Sequence, residues 1–145
     1  MIKIPDYIRQ LFATAVEDGS PCLLGTISKT GFPQISPKGS MMVFDDETLC
    51  YWERSNRTAI QHVADTKHAV VYYRTTMHRA NIPSGRGAFR LYGDARVVED
   101  GPIADKVWDL VPPAEKKQRA KEGCAVLIRV DRIEDLLGRV IQSRD

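Results

Sequence analysis

The segment at residues 88–98 places the strongest constraint on how this chain folds. Along it, apolar side chains such as Phe89 and Leu91 alternate with the polar residues Arg90, Asp94 and Arg96. A repeat of two residues places successive side chains on opposite faces of a β-strand. We therefore expect a strand with one buried face and one solvated face, which is typical of an antiparallel sheet.

Other strand-like segments follow one another through short turns, and each is rich in apolar, β-branched or aromatic residues. The predicted strands are 22–28, 33–44, 48–53, 68–75, 88–98, 124–130 and 138–142. Helical spacing of apolar residues predicts helices over 6–18, 59–64 and 102–110, and the polar segment 114–122 is also expected to be helical. The pattern indicates a mainly β protein in which an antiparallel, barrel-like sheet of six or seven strands carries three or four short peripheral helices.

Length and charge limit the functional classes. The 145 residues fit a single domain spanning 1–145, and a hydrophobic content of 43% supports a core and excludes intrinsic disorder. The net charge of +2 is too small to favour a nucleic-acid partner. Between residues 51 and 100, every basic residue except Lys67 is arginine, whose planar guanidinium suits phosphate and similar anions.

The cysteines Cys22, Cys50 and Cys124 lie far apart in apolar segments, without CxxC or metal-ligand spacing. We interpret them as small buried hydrophobic residues and predict no metal site. Reduced thiols favour a cytoplasmic location. The N-terminal residues lack a signal-peptide pattern and no apolar segment reaches membrane-spanning length, so no membrane partner is expected.

One candidate ligand site is the segment ERSNRT at residues 53–58, where a predicted strand gives way to a helix. A helix start exposes unpaired N–H groups and the positive end of the helix dipole. Arg57 would add a positive charge where an acidic residue suits the helix better, which indicates a bound anion. The alternative is a helix that is simply capped by Ser55 and Asn56, with Arg57 in solvent.

A second candidate is the segment SPKG at residues 36–39. Pro37 has no N–H to donate, so it belongs at a sheet edge or a bulge. Lys38 and Gly39 would let a cation and the backbone approach a flat ligand closely. The alternative is an ordinary edge strand that Pro37 and Lys38 protect from aggregation.

Taken together and in order, the segments PQISPKGS, LCYWERSNRTAIQHV, HAVVYYR and GAFRLYGDARVVED resemble the FMN-binding split-barrel family related to pyridoxamine 5'-phosphate oxidase. The resemblance covers residues 21–99 and, more loosely, 124–132. It implies a split β-barrel with antiparallel, Greek-key-like strands. It also implies a homodimer that binds FMN between its subunits.

The resemblance also assigns residues to the cofactor. The residues implied to line the flavin ring are Ser36, Pro37, Lys38 and Gly39, with Lys38 near the polar edge of the ring. The family's Ser-Arg-Lys motif, which holds the FMN phosphate, matches Asn56, Arg57 and Thr58. Thr58 replaces the lysine, so one phosphate charge is missing. The other implied contacts are Glu53, Arg54 and Ser55 for the ribityl chain and phosphate, and Arg74 with strand 88–96 from a second subunit.

The function that this resemblance implies is an FMN-dependent oxidoreductase acting on a small-molecule substrate or reductant, with no catalytic residue assigned. The cofactor supplies most of the chemistry, and a cationic Lys38 would favour the anionic reduced flavin. Residues 138–145 contain no histidine. This departure from pyridoxamine-phosphate oxidases proper argues against their activity. Three alternatives remain: a non-catalytic flavin-binding or redox-sensing protein, a deazaflavin-dependent reductase, and a small nucleic-acid-binding barrel.

Overall fold

A computed structural model of the protein describes residues 1–54, 58–116 and 121–144. These residues form an eight-stranded sheet, four α-helices and a 3-10 turn at Arg79–Asn81. The strands are β1 (Cys22–Ile27), β2 (Pro33–Lys38), β3 (Met42–Val43), β4 (Thr48–Glu53), β5 (His68–Arg74), β6 (Ala88–Val98), β7 (Cys124–Asp135) and β8 (Val140–Ser143). The helices are α1 (Asp6–Thr14), α2 (Thr58–Thr66), α3 (Pro102–Leu110) and α4 (Pro113–Lys116). No helix within the described ranges has both the length and the apolar character needed to cross a bilayer.

The sheet curls into a half-barrel, and all of the described strand pairs are antiparallel. The strand order is β2-β1-β5-β6-β7-β4-β3. The long strand β7 pairs with β6 along one edge, and with β4 and then β8 along the other. The predicted mainly β split barrel with antiparallel strands and peripheral helices is confirmed.

The prediction of a single strand over residues 33–44 is wrong. The chain leaves β2 after Lys38, and β2 and β3 lie at opposite ends of the strand order. The hydroxyl of Ser40 fixes the connection from β2 to β3 against β4. It accepts a hydrogen bond from the Trp52 N–H at 3.0 Å and donates one to the Trp52 carbonyl at 3.3 Å. A side chain thus satisfies backbone groups of β4 that a neighbouring strand would otherwise pair.

Other element boundaries follow tertiary contacts. The predictions over 48–53, 88–98 and 102–110 coincide with β4, β6 and α3. The helix predicted over 6–18 ends at Thr14, and the chain then closes a turn in which the Ser20 N–H donates to the Ala15 carbonyl at 2.8 Å. Of the helix predicted over 114–122, the described residues are helical only as far as Lys116. β7 runs on to Asp135 because β6 pairs with it along that length.

Two apolar clusters lie against the sheet. On the inner side, α1 packs Phe12 against Tyr73, with ring centroids 5.6 Å apart. On the other side, α3 packs Trp108 against Trp52 at a centroid distance of 5.0 Å. Because both faces of β4 are covered, nearly every residue of this strand is buried. Burial on both faces holds the C-terminal end of β4, at Glu53, in a fixed position.

All three cysteines are buried, as predicted. Loss of solvent around the thiols raises the pKa of Cys22 and Cys124, and raises the pKa of Cys50 to about 12. Thiols with such raised pKa values remain protonated near neutral pH, where the thiolate is the reactive form. These cysteines therefore act as apolar packing residues.

Candidate functional site

The ends of β2 and β4 meet through an ion pair. The Lys38 ammonium lies 2.9 Å and 3.3 Å from the two carboxylate oxygens of Glu53. The Glu53 side chain is only 3% exposed and that of Lys38 is 15% exposed. Lys38 also lies 5.6 Å from the centroid of the Tyr51 ring. Because β2 and β4 lie at opposite sides of the strand order, this pair links the two margins of the half-barrel.

A cavity of about 210 Å³ opens beside this ion pair. Its walls come from the end of β2, the turn after it, the end of β4 and helix α4. The lining residues are Pro37, Lys38, Gly39, Ser40, Trp52, Glu53, Arg54 and Glu115. The structure thus brings together the predicted residues Pro37, Lys38, Gly39, Glu53 and Arg54, although they come from two separate segments of the sequence.

Arg54 forms the second charged contact of the cavity. Its Nη1 lies 3.0 Å from Glu115 Oε2, and its Nη2 donates to the Glu115 backbone carbonyl. Its Nε is buried and has no hydrogen-bond partner among the described residues. A buried guanidinium N–H without a partner costs free energy, so this atom is a ready donor for an anionic or polar ligand.

Gly39 allows the Glu115 side chain, on the opposite wall of the cavity, to lie close to the backbone. A Cβ placed on Gly39 would overlap the carboxylate of Glu115 and come within 3.1 Å of the Val16 side chain. A ligand atom, like the carboxylate, can therefore reach the backbone here only because residue 39 lacks a side chain. The unpartnered Arg54 Nε and the open backbone at Gly39 are both features that fit a flat, anionic cofactor.

The remaining predicted site residues lie elsewhere or outside the described ranges. Ser36 is half-buried and accepts a hydrogen bond from Gln34 Nε2 at 3.1 Å. Thr58 is the exposed first residue of α2. Arg74 lines a separate depression of about 320 Å³ that also includes Leu23 and Tyr72. The predicted phosphate contacts Ser55, Asn56 and Arg57 lie outside the described residues.

Sequence reasoning missed Glu115 and Ser40 as parts of this site. Glu115 belongs to the charged segment predicted as a helix over 114–122, and it lies far from Arg54 in the sequence. No local pattern marks it, because only the fold brings α4 onto the end of β4. Ser40 directly follows the predicted SPKG segment, and this position in the sequence could have identified it as part of the site.

In the described part of the chain, no three His, Cys, Asp or Glu side chains form a group that could hold a metal ion. The ionisable groups of the cavity are instead two cations and two carboxylates in contact. This arrangement is suited to orienting a charged ligand.

The half-barrel and the polar cavity at its strand ends define a split-barrel protein with a candidate ligand site at its margin. A family model described as pyridoxamine 5'-phosphate oxidase matches residues 8–136. The chain therefore belongs to the pyridoxamine 5'-phosphate oxidase family, as the sequence motifs predicted. No curated protein sequence matches this chain.

Several solved structures share the fold. HupZ of Group A Streptococcus is 18% identical, with a TM-score of 0.73 and coverage of 94% of this chain and 97% of that one. An FMN-binding protein from Syntrophomonas wolfei is 13% identical, with a TM-score of 0.68 and coverage of 90% and 84%. A pyridoxamine 5'-phosphate oxidase-related, FMN-binding protein from Nostoc punctiforme is 13% identical, with a TM-score of 0.62 and coverage of 92% and 82%. At these identities the likeness concerns the fold.

Proposed function

We propose that this protein is an FMN-dependent oxidoreductase that binds the flavin in the cavity between β2 and β4 and acts as a homodimer. The observation that supports this most directly is the convergence of Lys38, Gly39 and Arg54 on one cavity, with a buried Arg54 N–H that has no partner among the described residues. The FMN-binding proteins from S. wolfei and N. punctiforme have the same fold. When bound, the flavin supplies the electron-accepting chemistry.

Each residue of the proposed site has a physical role. The ammonium of Lys38, held in place by Glu53, presents positive charge to the polar edge of the flavin ring. Gly39 allows the ring to lie against the backbone. Arg54 would donate to the ribityl chain or the phosphate, as the family resemblance implies. Asn56, Arg57 and Thr58 are proposed to hold the phosphate.

The size of the cavity supports a site shared between two subunits. Ligand pockets typically enclose about 300–1,000 Å³. The cavity here is about 210 Å³, so one subunit would cover only part of a flavin. A second subunit would cover the rest, and Arg74 is proposed to contribute from that side.

One sheet surface is suited to cover a second subunit. We call it the outer face, formed by paired residues of β2, β1, β5 and β6, every one of which is half-buried or exposed. It carries Pro37, Leu23, Tyr72 and Arg90 in one row, and Ile35, Gly25, Val70 and Tyr92 in the next. Aromatic and apolar residues mixed with arginine are typical of the centre of a protein interface.

The Ile35→Asp variant tests the dimer. Ile35 is 72% exposed on the outer face, and a carboxylate there would be desolvated by a partner. We expect the dimer dissociation constant, measured by analytical ultracentrifugation, to rise by about tenfold or more. Ile103→Asp is the control, because Ile103 is also partly exposed but lies on α3, which packs against β4 and β7. Equal dissociation constants for the two variants would exclude this surface as the interface.

Flavin binding is tested by the visible absorption spectrum after incubation with excess FMN and desalting, with a retained two-band flavin spectrum as the expected result. In the Arg57→Ala variant, loss of a charge-assisted phosphate contact should weaken FMN binding by about 1.5–3 kcal/mol. Arg86→Ala, which removes an exposed loop arginine, should bind FMN as the wild type does. Unchanged affinity in Arg57→Ala would contradict the proposed phosphate site.

Turnover of NAD(P)H by the flavin-loaded protein would separate an enzyme from a flavin-binding or redox-sensing protein.

A further inference from the structure

A carboxylate of the chain itself lies inside the proposed flavin cavity. Glu115, on helix α4, places Oε2 3.0 Å from Arg54 Nη1, and its backbone carbonyl accepts from Arg54 Nη2. The side chains of Arg54 and Glu115 are 19% and 22% exposed. This contact is therefore partly shielded from solvent, where an ion pair is stronger than at an open surface.

The same carboxylate also lies against Gly39. A Cβ on Gly39 would overlap Glu115 Oε1, so no other residue type at position 39 allows this approach without a shift. One oxygen of Glu115 thus contacts the Arg54 guanidinium, and the other occupies the space that a side chain at position 39 would fill. A ligand anion approaching Arg54 from the cavity would need this same position.

Arg54 is the cation of the cavity for which Glu115 and a ligand anion would compete. Lys38 is paired with Glu53 at 2.9 Å, and Arg54 is paired with Glu115. An incoming phosphate or carboxylate that kept Glu115 in place would meet a like charge at contact distance. Binding of an anion at Nη1 of Arg54 therefore requires that the Glu115 carboxylate leaves, whereas Nε can donate with Glu115 in place.

We infer that Arg54 and Gly39 form an anion subsite of the cavity, and that Glu115 is its internal occupant, which an anionic group of the ligand displaces. The inference rests on the proposed function in taking this cavity as the flavin site. It makes Glu115 a residue that sets the affinity for anionic ligands and discriminates between them and neutral ones.

Helix α4 is built so that such a displacement costs little. It spans four residues, and its described attachments are a Glu115 N–H to Pro112 carbonyl hydrogen bond of 2.9 Å and the Lys116 ammonium 5.3 Å from the Trp108 ring centroid. A helix this short has almost no stability of its own. The two Arg54 contacts add to these attachments, so an anion that takes Arg54 also loosens α4.

The test compares wild type, Glu115→Gln and the control Asp109→Asn. Asp109 is exposed on α3, so both substitutions remove one negative charge but only the first removes it from the cavity. Inorganic phosphate is the first probe, with binding measured by calorimetry. We expect Glu115→Gln to lower the phosphate dissociation constant about tenfold, and Asp109→Asn to leave it unchanged. Adding Arg54→Gln to Glu115→Gln should abolish the gain, and Glu115→Ala should reproduce it if the glutamine variant folds poorly.

FMN and riboflavin are the second pair of probes, since riboflavin lacks the phosphate. A gain for FMN with unchanged riboflavin affinity supports displacement of Glu115 by the phosphate group. Equal gains for both flavins, or equal phosphate binding by Glu115→Gln and Asp109→Asn, would overturn the inference. If Glu115→Gln gains phosphate affinity while none of the proteins binds FMN, the anion subsite is supported and the proposed flavin function fails.

Discussion

Replacing Gly123 with alanine should destabilise the protein by about 3 kcal/mol, because the new side chain meets two penalties together. Gly123 has a φ of +106°, which residues with a Cβ rarely adopt. Its Cβ would also overlap the backbone carbonyl oxygen of Glu53 and come within 3.1 Å of the Arg54 α-carbon. Relief of this overlap requires movement of β4 at the residues that line the candidate site.

Gly101→Ala is the matched control for this prediction. Gly101 has a similar φ of +93°, but a Cβ there would meet no atom within 4 Å. It should cost less, about 1–2 kcal/mol, from the backbone conformation alone. Urea unfolding of the two variants at one pH measures the difference. Equal losses of unfolding free energy would show that the Glu53 backbone yields easily, contrary to its burial on both faces of β4.

The Lys38→Met variant should lose about 3 kcal/mol of stability, since it removes the cation from a carboxylate that is almost fully buried. Glu53 is 3% exposed, and Lys38 Nζ contacts both of its oxygens. The methionine side chain keeps a similar volume, so the loss reports on charge more than on packing. Chemical denaturation of the protein without added cofactor measures this effect separately from any flavin binding.

The exposed pair between Lys121 and Asp105 supplies the control for Lys38. Its side chains are 45% and 66% exposed, and Lys121→Met should cost at most about 0.5 kcal/mol. The double variant Lys38→Met with Glu53→Gln should recover most of the loss, because it removes the buried carboxylate as well. A double variant no more stable than Lys38→Met would mean that lysine contributes through packing, and that its ion pair with Glu53 is energetically minor.

Local sequence patterns predicted the helices and strands whose buried residues recur at a regular spacing. The alternating strand over residues 88–98 coincides with β6, and the helix over 102–110 coincides with α3. Both elements bury one face, so the period of their apolar residues carries the information. The motifs likewise include residues 37–39 and 53–54, which line the cavity, because they lie in continuous segments that a family resemblance can match.

Local sequence patterns could not predict the contacts between segments that are distant in the sequence. Residues 33–44 are uniformly strand-like, yet the chain divides there between the two margins of the sheet, held by Ser40 against Trp52. Glu115 lies in a charged stretch typical of a solvated helix, yet it contacts Arg54 and Gly39. Neither outcome has a local signature, because each depends on which strand ends the barrel brings together.

Periodicity and motif order are properties of the chain, so the family, the mainly β architecture and the segments of the candidate site could be predicted without the structure. The tertiary structure alone decided that Lys38 and Glu53 close the margins of the half-barrel at 2.9 Å, and that Glu115 occupies the cavity beside Arg54. Such pairings depend on distance and burial between residues far apart in sequence. The two ion pairs become strong only once the sheet has curled and its margin is shielded from water.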